Sequence, residues 1–123
     1  MNNNKNIGKL GEEIAHLYLI NKKYKILEQN YKCKYGEIDI IAEKNNIISF
    51  IEVKTRQNIF FGNPVEAITK MKQKHIYNSA TYYLIHQKIH NSIQVQLDAI
   101  EIYIQWPSIK LNHIKGIIID QIQ

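Results

Sequence analysis

Gly36-Glu37-Ile38-Asp39-Ile40-Ile41-Ala42-Glu43-Lys44-Asn45-Asn46-Ile47-Ile48-Ser49-Phe50-Ile51-Glu52-Val53-Lys54-Thr55-Arg56 is the stretch whose reading decides the fold. Glu37 to Glu43 and Ile47 to Arg56 are rich in β-branched and apolar residues, and the Lys44-Asn45-Asn46 break between them supplies asparagines tolerant of positive φ. The two runs therefore read as a β-hairpin. With Asn45 and Asn46 as a two-residue turn, Lys44 lies opposite Ile47, and stepping outward in that register sets Asp39 directly opposite Glu52. The same register pairs Ile38, Ile40 and Ala42 with Val53, Ile51 and Ser49 on a core face. It pairs Ile41 and Glu37 with Phe50 and Lys54 on the carboxylate face.

Directly opposed side chains have Cβ atoms about 4.5–5.5 Å apart, and two unit charges at roughly 5 Å repel by about 3 kcal/mol at an effective dielectric of about 20. Folding alone does not favour such a pair. A divalent cation between the carboxylates reverses the sign of the interaction and keeps coordination positions for water and phosphate. Charged alternation is also ordinary on a solvated antiparallel face, where Glu37-Lys54, Asp39-Lys54 and Glu52-Arg56 would be simple ion pairs, and a turn of odd length would separate the acids. Spacing leaves both readings open.

Ile7, Leu10, Ile14, Leu17 and Tyr18 recur at helical spacing, which predicts a first amphipathic helix from about Ile7 to Lys22. On it the stripe Gly8-Glu12-Ala15-Leu19 has small residues that let the helix approach a sheet and turn Glu12 inward, although acids are common in first turns for the helix dipole alone. Tyr24 to Asn30, continuing toward Tyr35 and Gly36, reads as a strand and connection. Asn63 before Pro64 is a helix start, and Ile68, Ile76, Ala80 and Tyr83 continue it to about Gln87. Ile93 to Ile104 reads as a strand buried largely on both faces; after the Trp106-Pro107-Ser108 break, Ile109 to Ile119 reads as a short strand with a short helix or tail. The order α-β-β-β-α-β with a tail implies an α/β fold, a mixed β-sheet flanked by helices, in one domain spanning residues 1–123.

Sixteen Lys and Arg against eleven Asp and Glu give a formal charge of +5, the bias of a polyanion binder, although abundant Ile, Asn and Lys also reflect an AT-rich coding bias. Cys33 is the only cysteine, which excludes an internal disulfide and a Cys-cluster metal site. No apolar run approaches the roughly 18 residues of a membrane span, so a cytoplasmic location with no membrane partner is expected. His75, His86 and His90 read as surface residues; Phe60, Phe61, Trp106 and the tyrosines read as core or boundary packing.

The segments Gly36 to Ala42 and Phe50 to Arg56 resemble the D…E-x-K core of restriction-endonuclease-like nucleases. With Gly8-Lys9-Leu10-Gly11-Glu12-Glu13 upstream and a Lys/Gln helix downstream, the chain resembles the YraN-type family, and similar features occur in archaeal-type Holliday-junction resolvases. The likeness runs from Gly8 to about Leu84, with a looser match at Leu97-Asp98-Ala99. It implies a restriction-endonuclease-like fold and a metal-dependent DNA endonuclease, with branched or structured DNA as one substrate class. Asp39 and Glu52 would hold Mg²⁺ or Mn²⁺, Lys54 would assist the attacking water, Glu12 is the candidate third acid, and Val53 could lend only its backbone carbonyl. Arg56, Lys70, Lys72 and Gln73 are the candidate DNA contacts. A homodimer would supply two active sites for paired cuts. The alternative from another class is a non-catalytic nucleic-acid-binding accessory protein of the same fold.

Overall fold

The hairpin tip has the backbone its asparagines favour: Asn45 and Asn46 have φ of 55° and 63°, the left-handed pair of a type I′ turn. In the structure, a computed structural model that describes residues 3–57, 69–89 and 92–117, this turn joins β2 (Gly36–Lys44) to β3 (Ile47–Arg56). Lys44 pairs with Ile47, Glu43 with Ile48, Ala42 with Ser49, Ile41 with Phe50 and Ile40 with Ile51, the register that a two-residue turn dictates.

The other elements are α1 (Asn3–Asn21), β1 (Lys25–Cys33), α2 (Lys70–His86), β4 (Gln94–Gln105) and β5 (Ser108–Ile117). The five strands form one sheet in sequential order, β3 and β4 parallel and all other neighbours antiparallel. A parallel neighbour requires a crossover, and α2 lies in it. The sheet has a helix on each face. Ala15 and Leu19 of α1 pack with Ile40, Ala42, Ile51 and Ile100, and Ile76 and Tyr83 of α2 pack with Ile41, Ile48, Phe50 and Leu97. Ile51 and Ile100 have no exposed surface; burial of such a side chain stabilises by roughly 1.5–3 kcal/mol. The expected α/β class and flanked sheet are therefore found.

Several details differ from the sequence reading. The closing segment is a full strand, β5, in place of a short strand with a helix or tail. As an edge strand it needs only one apolar face, and exposed Lys110, Asn112 and Lys115 blur its alternation. Thr69 has extended φ and ψ, and its hydroxyl accepts a 3.1 Å hydrogen bond from the Lys72 N–H, so α2 starts at Lys70 with no unbroken helix from Pro64. Asn63 and Pro64 lie outside the described residues, as do Phe60, Phe61 and His90. Trp106 is 68% exposed, because the β4–β5 turn carries it beyond the core. Finally, Gly11 rather than Gly8 makes the close helix–sheet approach: a Cβ at Gly11 would fall inside the Thr55 side chain, whereas one at Gly8 would meet nothing. Gly11→Ala is expected to cost about 1–3 kcal/mol in chemical denaturation, and Thr55→Ala in the same chain to recover part of that loss. Equal stability of Gly11→Ala and the parent would show that α1 can shift to make room.

One buried polar network ties α1 to the β4–β5 edge of the sheet. Asp98, fully buried, accepts from the Gly116 N–H at 3.0 Å and the Gln96 amide at 2.9 Å, and its other oxygen lies 2.8 Å from His113 Nε2. His113 Nδ1 lies 2.9 Å from the Tyr18 hydroxyl. With the ring proton on Nε2 facing the carboxylate, Nδ1 accepts from Tyr18 and each group in the chain is paired.

Candidate metal centre

The β2–β3 ladder stops after Ile40 and Ile51, one step short of the two acids. Asp39 and Glu52 are therefore not direct ladder partners, as the straight register would have made them. Asp39 Oδ2 instead accepts a 2.8 Å hydrogen bond from the Val53 N–H, taking the place of a strand carbonyl. On its other side Asp39 lies between the pairs Tyr31–Ile38 and Gln29–Ile40, facing Asn30, whose φ is 52°. Ile38 joins the cluster on the α2 face while Ile40 joins the one on the α1 face, so β2 turns over at Asp39 and Ile38 does not share the face expected for it. A carboxylate among apolar strands is costly unless it is hydrogen-bonded, and this local divergence is what frees a backbone donor for it.

The electrostatics of the gap are those of crowded acids. Burial and the neighbouring Glu52 push the Asp39 carboxyl up to about 7, with Glu12 adding to the rise and the Val53 N–H and Lys72 opposing it. Glu52 is 4% exposed. Its Oε2 lies 3.4 Å from Lys54 Nζ on the same strand face and 3.2 Å from Lys72 Nζ at the start of α2. Glu12 hydrogen-bonds to Asn30; burial raises its carboxyl pKa, and Glu37 and Glu52 contribute in the same direction. The Val53 side chain packs toward the α1-face core, so only its carbonyl could ligate.

Among the described residues no three His, Cys, Asp or Glu side chains stand close enough to hold a metal ion together. Glu12 thus acts on Asp39 through space while Asn30 anchors it. What the site offers is an open pair. Mg²⁺ suits such a pair, since it is ordinarily bound through one or two carboxylates while water and substrate phosphate fill the remaining positions. The donor chemistry fits: oxygen ligands only, two like charges forced together, and one of them already drawing two ammonium groups.

The candidate nucleic-acid residues divide. Lys72 reaches the acids directly, whereas Lys70 is exposed at the helix start and Gln73 is half-buried beside it. Arg56 is partly buried, and its Nε has no hydrogen-bond partner. It faces Glu101, which sequence reasoning did not single out. Glu101 is fully buried as the β4 register partner of Lys54, accepts from the Asn112 amide at 3.4 Å, and has an unpartnered Oε2. Burial pushes its carboxyl up, while Asn112 and Arg56 hold it back. An acid inside the apolar run Ala99 to Ile104 was the available signal. Two clefts reach the site from the α1 side. One, of about 390 Å³, is lined by Lys9, Glu12, His16, Gln29 and Asp39; the other, of about 250 Å³, by Glu12, Val53 and Lys54.

A family model described as uncharacterised protein family UPF0102 matches residues 11–102. A UPF0102 protein of Clostridium botulinum (strain Hall) is 52% identical over 99 residues, covering 80% of each chain. A UPF0102 protein of Clostridioides difficile (strain 630) is 46% identical over 112 residues, covering 91% of this chain and 96% of that one.

Proposed function

This chain belongs to uncharacterised protein family UPF0102, and we propose, from its own site, that it is a metal-dependent endonuclease hydrolysing phosphodiester bonds in DNA, with branched or structured DNA as the favoured class. The observation that carries this reading is the Asp39–Glu52 pair: a carboxylate buried against a second one, anchored by a backbone N–H, beside an oxygen that attracts two ammonium groups. Asp39 and Glu52 are the residues that would hold Mg²⁺ or Mn²⁺. A cation there supplies Lewis-acid polarisation of the scissile phosphate and acidifies a water. Lys54, held on the Glu52 face, donates to the oxygens on which negative charge builds. Val53 fixes the direction of the Asp39 carboxylate through its N–H. Arg56, Lys70 and Gln73 contact the backbone of the nucleic acid, and a homodimer supplies the second site for paired cuts.

The test is cleavage of duplex, single-stranded and branched DNA in Mg²⁺ or Mn²⁺. Lys54→Ala is expected to lower the rate by about 100-fold at nearly unchanged DNA affinity, because it removes one charge at the reacting phosphate. DNA binding that falls with salt, survives chelation and is never followed by cleavage would replace this proposal with a non-catalytic binding module.

A further inference from the structure

Glu52 Oε2 is shared by two ammonium groups that reach it from different elements. Lys54 is tethered two residues away on the same strand face. Lys72 is not: it comes from the first turn of α2, on the α2 face of the sheet, and its backbone is fixed there by the Thr69 cap. Its side chain is 40% exposed against 5% for Glu52, so the cation of this pair stays largely in water and can leave at little cost. The first turn of α2 also contains no acidic residue. A lysine in that turn opposes the helix dipole, and Lys72 is compensated here by its ion pair with Glu52 and by the nearby Asp39.

Building on the metal-site reading above, we propose that Lys72 is an exchangeable counter-ion of Glu52. In the metal-free protein its ammonium neutralises the carboxylate. A divalent cation held by Asp39 and Glu52 takes over that role by charge, and Lys72 turns out to meet a nucleic-acid phosphate. Lys54, tied to the strand, stays. Metal and DNA then favour each other's binding by the same factor, as linkage requires. The gain in DNA binding arises from one additional phosphate contact, which should raise the salt-dependence slope by about 0.9 when metal is present.

The experiment uses the full chain, with Mn²⁺ binding followed by calorimetry and binding of duplex DNA measured against salt in Ca²⁺ and in EDTA. Lys72→Met keeps the length of the side chain and removes its charge. It is expected to bind Mn²⁺ about 3- to 10-fold more tightly than the parent, and to lose about one unit of salt slope in Ca²⁺ but none in EDTA. Lys72→Arg, which keeps the charge, is expected to match the parent in both. Unchanged or weaker Mn²⁺ binding by Lys72→Met overturns the inference, as does an equal loss of slope with and without metal. Asp39→Asn separates the two levels. If Mn²⁺ binding depends on Asp39 but not on Lys72, only the counter-ion role fails; if the parent binds no Mn²⁺, or Asp39→Asn binds it equally well, the metal site fails and the counter-ion role with it.

Discussion

Asp39→Asn is expected to abolish metal-dependent cleavage, by at least about 1,000-fold, and to leave the metal-free protein more stable than the parent at pH 8. The first effect follows from losing one of the two carboxylates proposed to hold the metal, in a site where no third acid completes the set among the described residues. The second follows from the raised pKa. The Asp39 carboxyl is pushed up to about 7 in the folded chain against an ordinary value of 3.8, so between those values the folded state binds more protons than the unfolded one. Its contribution to stability is full below about pH 4 and is lost as pH rises through 7. The whole shift corresponds to about 4 kcal/mol, and the residue's partial exposure reduces the expected gain of Asp39→Asn at pH 8 to about 1–3 kcal/mol. Urea denaturation in EDTA at pH 5 and pH 8 measures it; the gap between the two proteins should shrink at the lower pH. Asparagine keeps an oxygen for the Val53 N–H, so that contact is not what the comparison tests. An Asp39→Asn protein that cleaves at the parent rate, or is the less stable of the two at pH 8, contradicts the assignment.

The second large effect is structural. Asp98→Ala is expected to cost about 3–5 kcal/mol, because it leaves the His113 ring, the Gly116 N–H and the Gln96 amide facing a buried space with no acceptor. Tyr18→Phe removes only the outermost hydroxyl of the same chain and is expected to cost about 1 kcal/mol. Denaturation midpoints at constant m-value compare the two directly. If Asp98→Ala loses no more than Tyr18→Phe, the network is decorative and α1 is held without it.

The parts of this molecule that were legible in the sequence are those decided by neighbours along the chain. Two asparagines with left-handed backbone at the hairpin tip were enough to fix the β2–β3 register, and with it the approach of Asp39 to Glu52. The exact meeting of the acids was not legible. It depends on the ladder ending after Ile40 and on the backbone of Asn30 in a third strand, and periodicity carries no sign of either. His113 and Asp98 were equally hidden, since their contact matters through Tyr18, ninety-five residues from His113. The Lys72–Glu52 contact depends on the phase at which α2 meets the sheet, and that phase is set by the Thr69 cap, a weaker local signal than the Asn63-Pro64 pair that suggested an earlier start.

The parting of β2 from β3 has one more consequence. A closed sheet would wall off its two sides, but here the acids stand in a fork, with Glu12 on one side and Lys72 on the other. An anion arriving from the α2 side meets the Lys72 ammonium, whereas the clefts on the α1 side set the carboxylates of Glu12 and Asp39 among Lys9 and Lys54. The molecule thereby has a front and a back. On the proposed function, the nucleic-acid strand would come in past α2, on the side where Lys72 stands.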